Sequence, residues 1–233
     1  MSFIERKSVA AVAAWAAVGA ATANAQVTYL TQDRSITAET SYDANVQTVS
    51  AGDFGPFAAA VDLEVGFTTP DGEAGVNEAH AGIDCQLDPN AIVASGNLSA
   101  GGGLALVGGE STLVFGEAAA AIQTSFAITD ATPFRLMASP RPSSDPKDRF
   151  KIKLEDQINN IVLFYLDETM AAQVVDVAGL LAPGQYALEY QVEFTIWGPE
   201  TLSDFYFKME IPAPGAMGLA AASLLFSARR RRG

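Results

Sequence analysis

The sequence predicts an all-β fold: a single β-sandwich or jelly-roll body, flanked by an N-terminal signal helix and a short C-terminal hydrophobic helix. Three observations predict it. Several runs alternate apolar and polar residues with period two, which sets one face of a strand on a core and the other in water. Glycine- and proline-based turn signals recur about every ten residues between those runs, the spacing of short antiparallel strands. No stretch of useful length in the middle of the chain carries a helical period. The 233 residues suit one domain plus targeting segments, and divide as 1–25, 26–210 and 211–233.

Residues 1–25 carry the marks of a secretory signal peptide. Arg6 and Lys7 supply the basic start, and the run from Val9 to Ala21 is apolar apart from Gly19. Ala23-Asn24-Ala25 places small residues where signal peptidase needs them, with cleavage before Gln26. The apolar stretch falls short of the roughly 20 residues of a spanning helix. No twin arginine is present, so the expected partners are the Sec translocon and signal peptidase. An uncleaved N-terminal anchor is the competing reading.

The body, residues 26–210, reads as strands in order. Short strand-like runs cover Val27–Leu30, Val46–Ser50, Ala91–Ser95, Ser111–Phe115 and Ile122–Ile128. Val61, Leu63, Val65 and Phe67 alternate against Asp62 and Glu64, and Phe150, Ile152 and Leu154 against Lys151, Lys153 and Glu155. The longest run is Tyr186, Leu188, Tyr190, Val192, Phe194 and Ile196, and Phe205, Phe207 and Met209 repeat the pattern. Ile161 to Leu166 is continuously apolar, as a central strand covered on both faces would be. Turns are expected at Asp71-Gly72, Ser95-Gly96, Gly101-Gly102-Gly103, Gly108-Gly109, Pro183-Gly184 and Gly198-Pro199. Weak helix signals lie at Asp167–Val175 and Ala118–Ala121. Pro183-Gly184 just before Tyr186 resembles a tyrosine corner, in which the ring packs under the turn and its hydroxyl bonds nearby backbone. Three prolines between Ser139 and Pro146 predict a surface loop, because proline cannot donate to a sheet ladder.

Charge narrows the partners. The net charge is −13. Six of the 14 basic residues sit in the two ends, against only Glu5 of the 27 acidic ones, so the body is more acidic still. A polyanion repels phosphate, which excludes nucleic acid as a partner. Cys85 is the only cysteine and His80 the only histidine. They permit no internal disulfide and no histidine cluster for zinc, and Cys85 is expected to be a small buried hydrophobe. No catalytic residues are assigned, and the body is read as non-enzymatic. No cofactor is expected; a structural Ca²⁺ is the one ion such acidity suits. Asp84 with Asp88, or Asp145 with Asp148, match neither an EF-hand nor a glycine-rich repeat loop. Trp197, Tyr206, Tyr165 and Phe205 are the rings available to stack on sugars. Trp197, at the end of the longest strand, is the candidate glycan contact.

Residues 211–233 place three elements in order. Pro212, Ala213, Pro214 and Gly215 form an extended motif. The apolar run Ala216–Ala228 follows, marginal for a full span. Arg229, Arg230, Arg231 and Arg232 then hold the end in the cytoplasm by the positive-inside rule. A plain C-terminal membrane anchor is one reading. The order also resembles the PEP-CTERM sorting signal of Gram-negative envelope proteins, in the variant Pro-Ala-Pro form similar to planctomycete-type tails. Pro212 and Pro214 match the two family prolines and Arg229 to Arg232 the basic end, while Ala213 stands where the family usually has Glu. The resemblance implies an exosortase-like sorting enzyme as partner, cleavage near the Pro motif after membrane insertion through the tail, and residence in the cell envelope or exopolysaccharide matrix. Three functions follow as expectations: a non-enzymatic envelope or matrix protein, a lectin-like carbohydrate-binding sandwich, and a secreted hydrolase whose site the sequence hides.

Overall fold

In the computed structural model the described residues are 27–140, 149–169, 174–196 and 201–212. They are all-β, with 14 strands and no helix. In chain order these are β1 (Val27–Thr40), β2 (Asn45–Ala51), β3 (Phe57–Thr68), β4 (Ala74–Asp88), β5 (Ala91–Gly101), β6 (Gly103–Val107), β7 (Glu110–Val114), β8 (Gly116–Ile128), β9 (Thr132–Pro140), β10 (Arg149–Asp156), β11 (Ile161–Thr169), β12 (Val175–Leu181), β13 (Gly184–Ile196) and β14 (Thr201–Glu210). Two six-stranded antiparallel sheets form a sandwich. The first runs β11-β10-β13-β8-β1-β2 and the second β12-β9-β14-β5-β4-β3. A separate hairpin, β6-β7, turns through Gly108 and Gly109, both at positive φ, as a two-residue hairpin turn requires.

The core follows the alternation read from the sequence. Ile152, Leu154, Leu188, Tyr190, Val192, Phe194, Phe207 and Met209 all point between the sheets and are buried. Small residues let the middle strands approach. Ala79, Ala81, Ala94, Ala100, Ala118 and Ala120 are all buried, and β4 and β5 of one sheet lie against β8 of the other. Toward β10 the gap is filled by rings: Tyr190 meets Phe207 at 4.7 Å, Phe150 at 5.6 Å and Phe205 at 6.1 Å. The tyrosine corner is present. Tyr186 Oη donates to the Ala182 carbonyl at 2.7 Å, and its ring stacks on Phe126 at 5.7 Å. Cys85 is buried and free, as expected.

Five local expectations are corrected. Ser139 and Pro140, read as part of a surface loop, are the last residues of β9, paired with Tyr206 and Phe205, and residues 141–148 lie outside the described residues. Ser95-Gly96 is not a turn but the middle of β5. A Cβ on Gly96 would lie 2.0 Å from the Gly82 carbonyl and 2.6 Å from the Phe205 ring, so this glycine serves a close approach inside the sheet. Ala118–Ala121 is the centre of β8, where alanine is chosen for its size. Asp167 to Thr169 finish β11 and Val175 starts β12, so sheet pairing overrides the helical signal at both ends, while residues 170–173 lie outside the described residues. Ile161–Leu166 is a sheet-edge strand, not a central one. A register shift opposite Leu154/Glu155 leaves Ile161, Val162, Leu163 and Tyr165 between 42 and 55% exposed; such an irregularity keeps an apolar edge from templating further strands.

Both ends of the body leave from one pole. Tyr29 Oη donates to the Asp88 carbonyl at 2.7 Å, and Ile211 N to the Asn90 carbonyl at 2.7 Å. The turn between β4 and β5 thus touches the start of β1 and the chain just beyond β14. Near that pole a buried arginine pins the β2–β3 connection. Arg34, wholly buried on β1, donates to the Asp53 carbonyl at 2.7 Å, the Cys85 carbonyl at 3.3 Å and Gln32 Oε1 at 2.6 Å. Gln32 Nε2 adds a bond to the Ala51 carbonyl at 3.1 Å. Burial pushes the neighbouring Cys85 thiol up, with Arg34 pulling against it.

Candidate functional site

The outward face of the second sheet carries the candidate site. Directly paired residues of antiparallel strands share a face, so the register fixes what stands together. Asp62 of β3 pairs with His80 of β4, which pairs with Ser99 of β5. Glu64 pairs with Glu78, Gly82 with Asn97, and Asp84 with Ser95. Across the next strand, Asn97 faces Asp204 and Ser95 faces Tyr206 on β14. Small residues at Ala58, Ala60, Gly82 and Ser95 hollow this face into a shallow depression of about 540 Å³. A second depression of about 370 Å³, lined by Asp62, Glu64, Glu78 and Ser99, adjoins it. His80 and Asn97 line both, so the two form one trough along β4 and β5. A Cβ on Gly82 would sit 2.8 Å from Asn97 Oδ1; the glycine leaves room for that amide to lie across the floor.

The hydrogen bonding in the trough is incomplete. His80 Nδ1 is bonded to Asp62 Oδ1. Ser99 is 5% exposed, yet its hydroxyl lines the trough and bonds to no side chain or backbone group among the described residues. The Asn97 amide also lacks a partner there, although it stands where the two depressions meet. The buried side-chain atom without a partner among the described residues is Tyr190 Oη in the core, so the Ser99 hydroxyl opens to solvent in the trough. Tyr206 is 39% exposed and stands between Ser95 and Ser139 on the neighbouring strands. Short neighbours leave its ring raised above the sheet, at the margin of the trough.

The opposite face contrasts with this one. The first sheet also has a polar hollow, of about 340 Å³, and several groups in and around it bond one another. Lys151 pairs with Glu189 at 2.7 Å, Lys153 with Glu155 at 2.6 Å, Thr31 with Ser125 at 2.6 Å, and Tyr165 with Asp167 at 2.9 Å. That is how a solvated surface looks.

Several residues singled out from the sequence are elsewhere. Phe205 is core, against Tyr190, and Tyr165 lies on the edge strand β11. Asp84 is in the trough, and Asp88 is separated from it at the end of β4. No group of three or more acidic, histidine or cysteine side chains among the described residues is placed to hold a metal. Pro212 follows β14 and is half-buried. Trp197, Asp145, Asp148, the cleavage residues Ala23, Ala25 and Gln26, and Ala213, Pro214, Gly215 and Arg229 to Arg232 lie outside the described residues. Sequence reading missed Asn97 and Ser99 as site residues. The only signal was that Ser95, Asn97 and Ser99 occupy every second position, which puts three polar side chains on one strand face.

These features define an all-β sandwich with a ligand-sized trough on one sheet face. No protein-family model matches the chain, and no curated protein matches it. Among solved structures it is similar to the native structure of a family 35 carbohydrate-binding module from Clostridium thermocellum, at 13% identity and a TM-score of 0.22, over 63% of this chain and 97% of that one. At that TM-score the likeness carries neither the fold nor a ligand.

Proposed function

We propose that this chain is an exported, non-enzymatic protein of the cell envelope or extracellular matrix, and that its sandwich binds carbohydrate through the trough on the second sheet. The observation that carries the binding reading is the trough along β4 and β5, where the Ser99 hydroxyl and the Asn97 amide face solvent with no hydrogen-bond partner among the described residues. Sugar hydroxyls both donate and accept, which is what serine and asparagine need, and the raised Tyr206 ring offers an apolar platform. Export rests on the signal-peptide pattern ahead of Gln26. Sorting by an exosortase-like enzyme rests on the Pro212–Pro214 motif, apolar run and arginine cluster. The common exit of both body ends suits a tail-held protein, since neither end crosses the trough.

A glycan array probed with the exported protein tests the binding. Recognition of at least one glycan class is expected, weakened at least tenfold in the Asn97→Ala/Tyr206→Ala double variant. Equal binding by the variant overturns the assignment to this face, and turnover of a bound polysaccharide overturns the non-enzymatic reading. Intact-mass analysis of the native protein tests the delivery: a chain from Gln26 to near Pro214 is expected, and one retaining Arg229 to Arg232 replaces sorting by simple anchoring.

A further inference from the structure

We infer that the pole from which both ends of the body leave docks on a lipid bilayer through apolar loop tips, while the C-terminal tail is still attached and in the membrane. The inference rests on the membrane-insertion reading of residues 211–233 and adds the surface that meets the lipid. Strand register brings several connections to this pole. The β2–β3 connection carries Phe54, whose ring lies 6.2 Å from that of Tyr29, and Tyr29 reaches the β4–β5 turn. The β10–β11 turn is level with them: Gln157 N donates to the Gln185 carbonyl at 2.8 Å, and Gly184 and Val27 both pair with Ile128. β12 ends there too, with Leu181 paired to Thr132. Leu30, Phe54, Ile158, Ile161 and Leu180 are set around this pole, each between 43 and 62% exposed. Large apolar side chains gathered on one surface mark a place of contact. Two of the tips are fixed. Arg34 holds the Asp53 carbonyl beside Phe54, and the Asp156 carboxylate accepts from Ile158 N at 3.0 Å and Asn159 N at 3.1 Å. A tip fixed in this way keeps its apolar side chain in water instead of folding it onto the core.

The length of chain beyond the body names the occupant. Ile211 is buried, and its N is bonded to the Asn90 carbonyl; the apolar run starts at Ala216. That stretch spans at most about 18 Å when fully extended, of which the headgroup layer takes roughly 5–8 Å. Residues 216–228, as a helix, would cover only about 20 Å of an apolar core about 30 Å thick, a mismatch that draws the body closer. β14 is an inner strand of its sheet, and β2 lies against β3 at the far side from β11 and β12. The tail therefore leaves from within the face, with Phe54 to one side and Ile158 to the other. A second copy seated there would bury the exit of both tails, whereas lipid is what the tail enters. The connections of this pole, 52–56, 89–90, 129–131, 157–160 and 182–183, contain Asp53 and Asp130 but no lysine or arginine. That suits a zwitterionic surface, and the arginines beyond the run place the body on the side away from the anionic cytoplasmic leaflet. The apolar β6–β7 hairpin is at the opposite pole, against Phe67 near the end of β3.

The test uses the exported chain with its tail intact, residues 26–233, reconstituted without sorting enzyme into phosphatidylcholine vesicles. Single cysteines in a Cys85→Ala background carry a fluorophore: Gly52→Cys and Gln157→Cys beside the two tips, and Glu110→Cys on the distal hairpin. The quencher is a lipid-borne nitroxide at the headgroup boundary, the depth that interfacial side chains reach. Quenching of about twofold or more is expected at positions 52 and 157, with none at 110. Phe54→Ser/Ile158→Ser is expected to remove most of that quenching while the protein still floats with the vesicles. If the double substitution leaves the quenching unchanged, the tether alone sets the distance and the inference falls. Quenching at the hairpin, or at none of the three positions, in protein that floats also overturns it and leaves tail insertion standing. Protein that does not float with the vesicles overturns tail insertion and the inference with it.

Discussion

Two tyrosines four residues apart on β13 predict stability changes of opposite sign when each loses its hydroxyl. Tyr190 is wholly buried, and its Oη finds no hydrogen-bond partner among the described residues. Burial alone pushes its phenol far up, so the ring stays neutral at every ordinary pH. An unmet buried hydroxyl costs about 1–3 kcal/mol of desolvation. Tyr190→Phe removes that cost and keeps the contacts with Phe150, Phe205 and Phe207; it also leaves a small void where the oxygen was. A gain of about 1 kcal/mol is expected, or about 2–4 °C in Tm for a domain of this size. Tyr186 is equally buried, but its hydroxyl holds the Ala182 carbonyl at 2.7 Å. Tyr186→Phe is expected to lose about 1 kcal/mol, a typical net hydrogen bond. Urea unfolding of both variants, with unchanged m-values, reads the two signs in one assay. If Tyr190→Phe destabilises as much as Tyr186→Phe, its hydroxyl is satisfied in solution and the core accounting is wrong.

Glu117 on β8 stands directly opposite Glu39 on β1. Burial, then Glu193, then Glu39 raise its pKa, with Arg149 opposing. The folded state therefore holds this proton more tightly than the unfolded chain, so the carboxylate detracts from stability above its folded pKa and the deficit fades as pH falls through that value. Glu117→Gln is expected to stabilise by about 0.5 kcal/mol at pH 7, with the difference from the parent gone by about pH 4; thermal melts across that range check it. Arg34→Met keeps the buried stem but removes the donors to the Cys85 carbonyl and Gln32 Oε1 and one of the two donors to the Asp53 carbonyl, the other being Gln32 Nε2. A loss of about 3 kcal/mol is expected, together with faster reaction of Cys85 with a thiol reagent as the Gly52–Pro56 connection loosens.

The all-β class was legible because period-two alternation survives along β3, β10, β13 and β14, each with one face on the core. It failed where that condition failed. β11 is apolar on consecutive residues because its register shifts beside β10, not because two layers cover it. The alanines of β8 gave a helical signal because alanine favours helices in isolation, whereas here their size sets the spacing between sheets. Gly96 read as a turn because a close approach to Gly82 and Phe205 leaves no mark on the local pattern. The site was less legible for the same reason. Asp62, His80, Asn97 and Tyr206 come from four strands spread over much of the chain, and only the pairing of β3-β4-β5-β14 sets them side by side. The ring that sequence favoured, Trp197, was chosen by position along one strand, which says nothing about neighbours on other strands.

The position of the trough follows from the same pairing. It begins at Asp84 and runs along β4 toward Glu78, away from the turn at Asp88 that touches both ends of the body. A chain held by a segment beyond Pro212 is therefore held at the pole from which the trough recedes. The strands that line it are inner members of their sheet, stiffened by ladders on both sides and by close contact with the alanines of the first sheet. Binding groups placed on such strands lose little freedom when a ligand arrives.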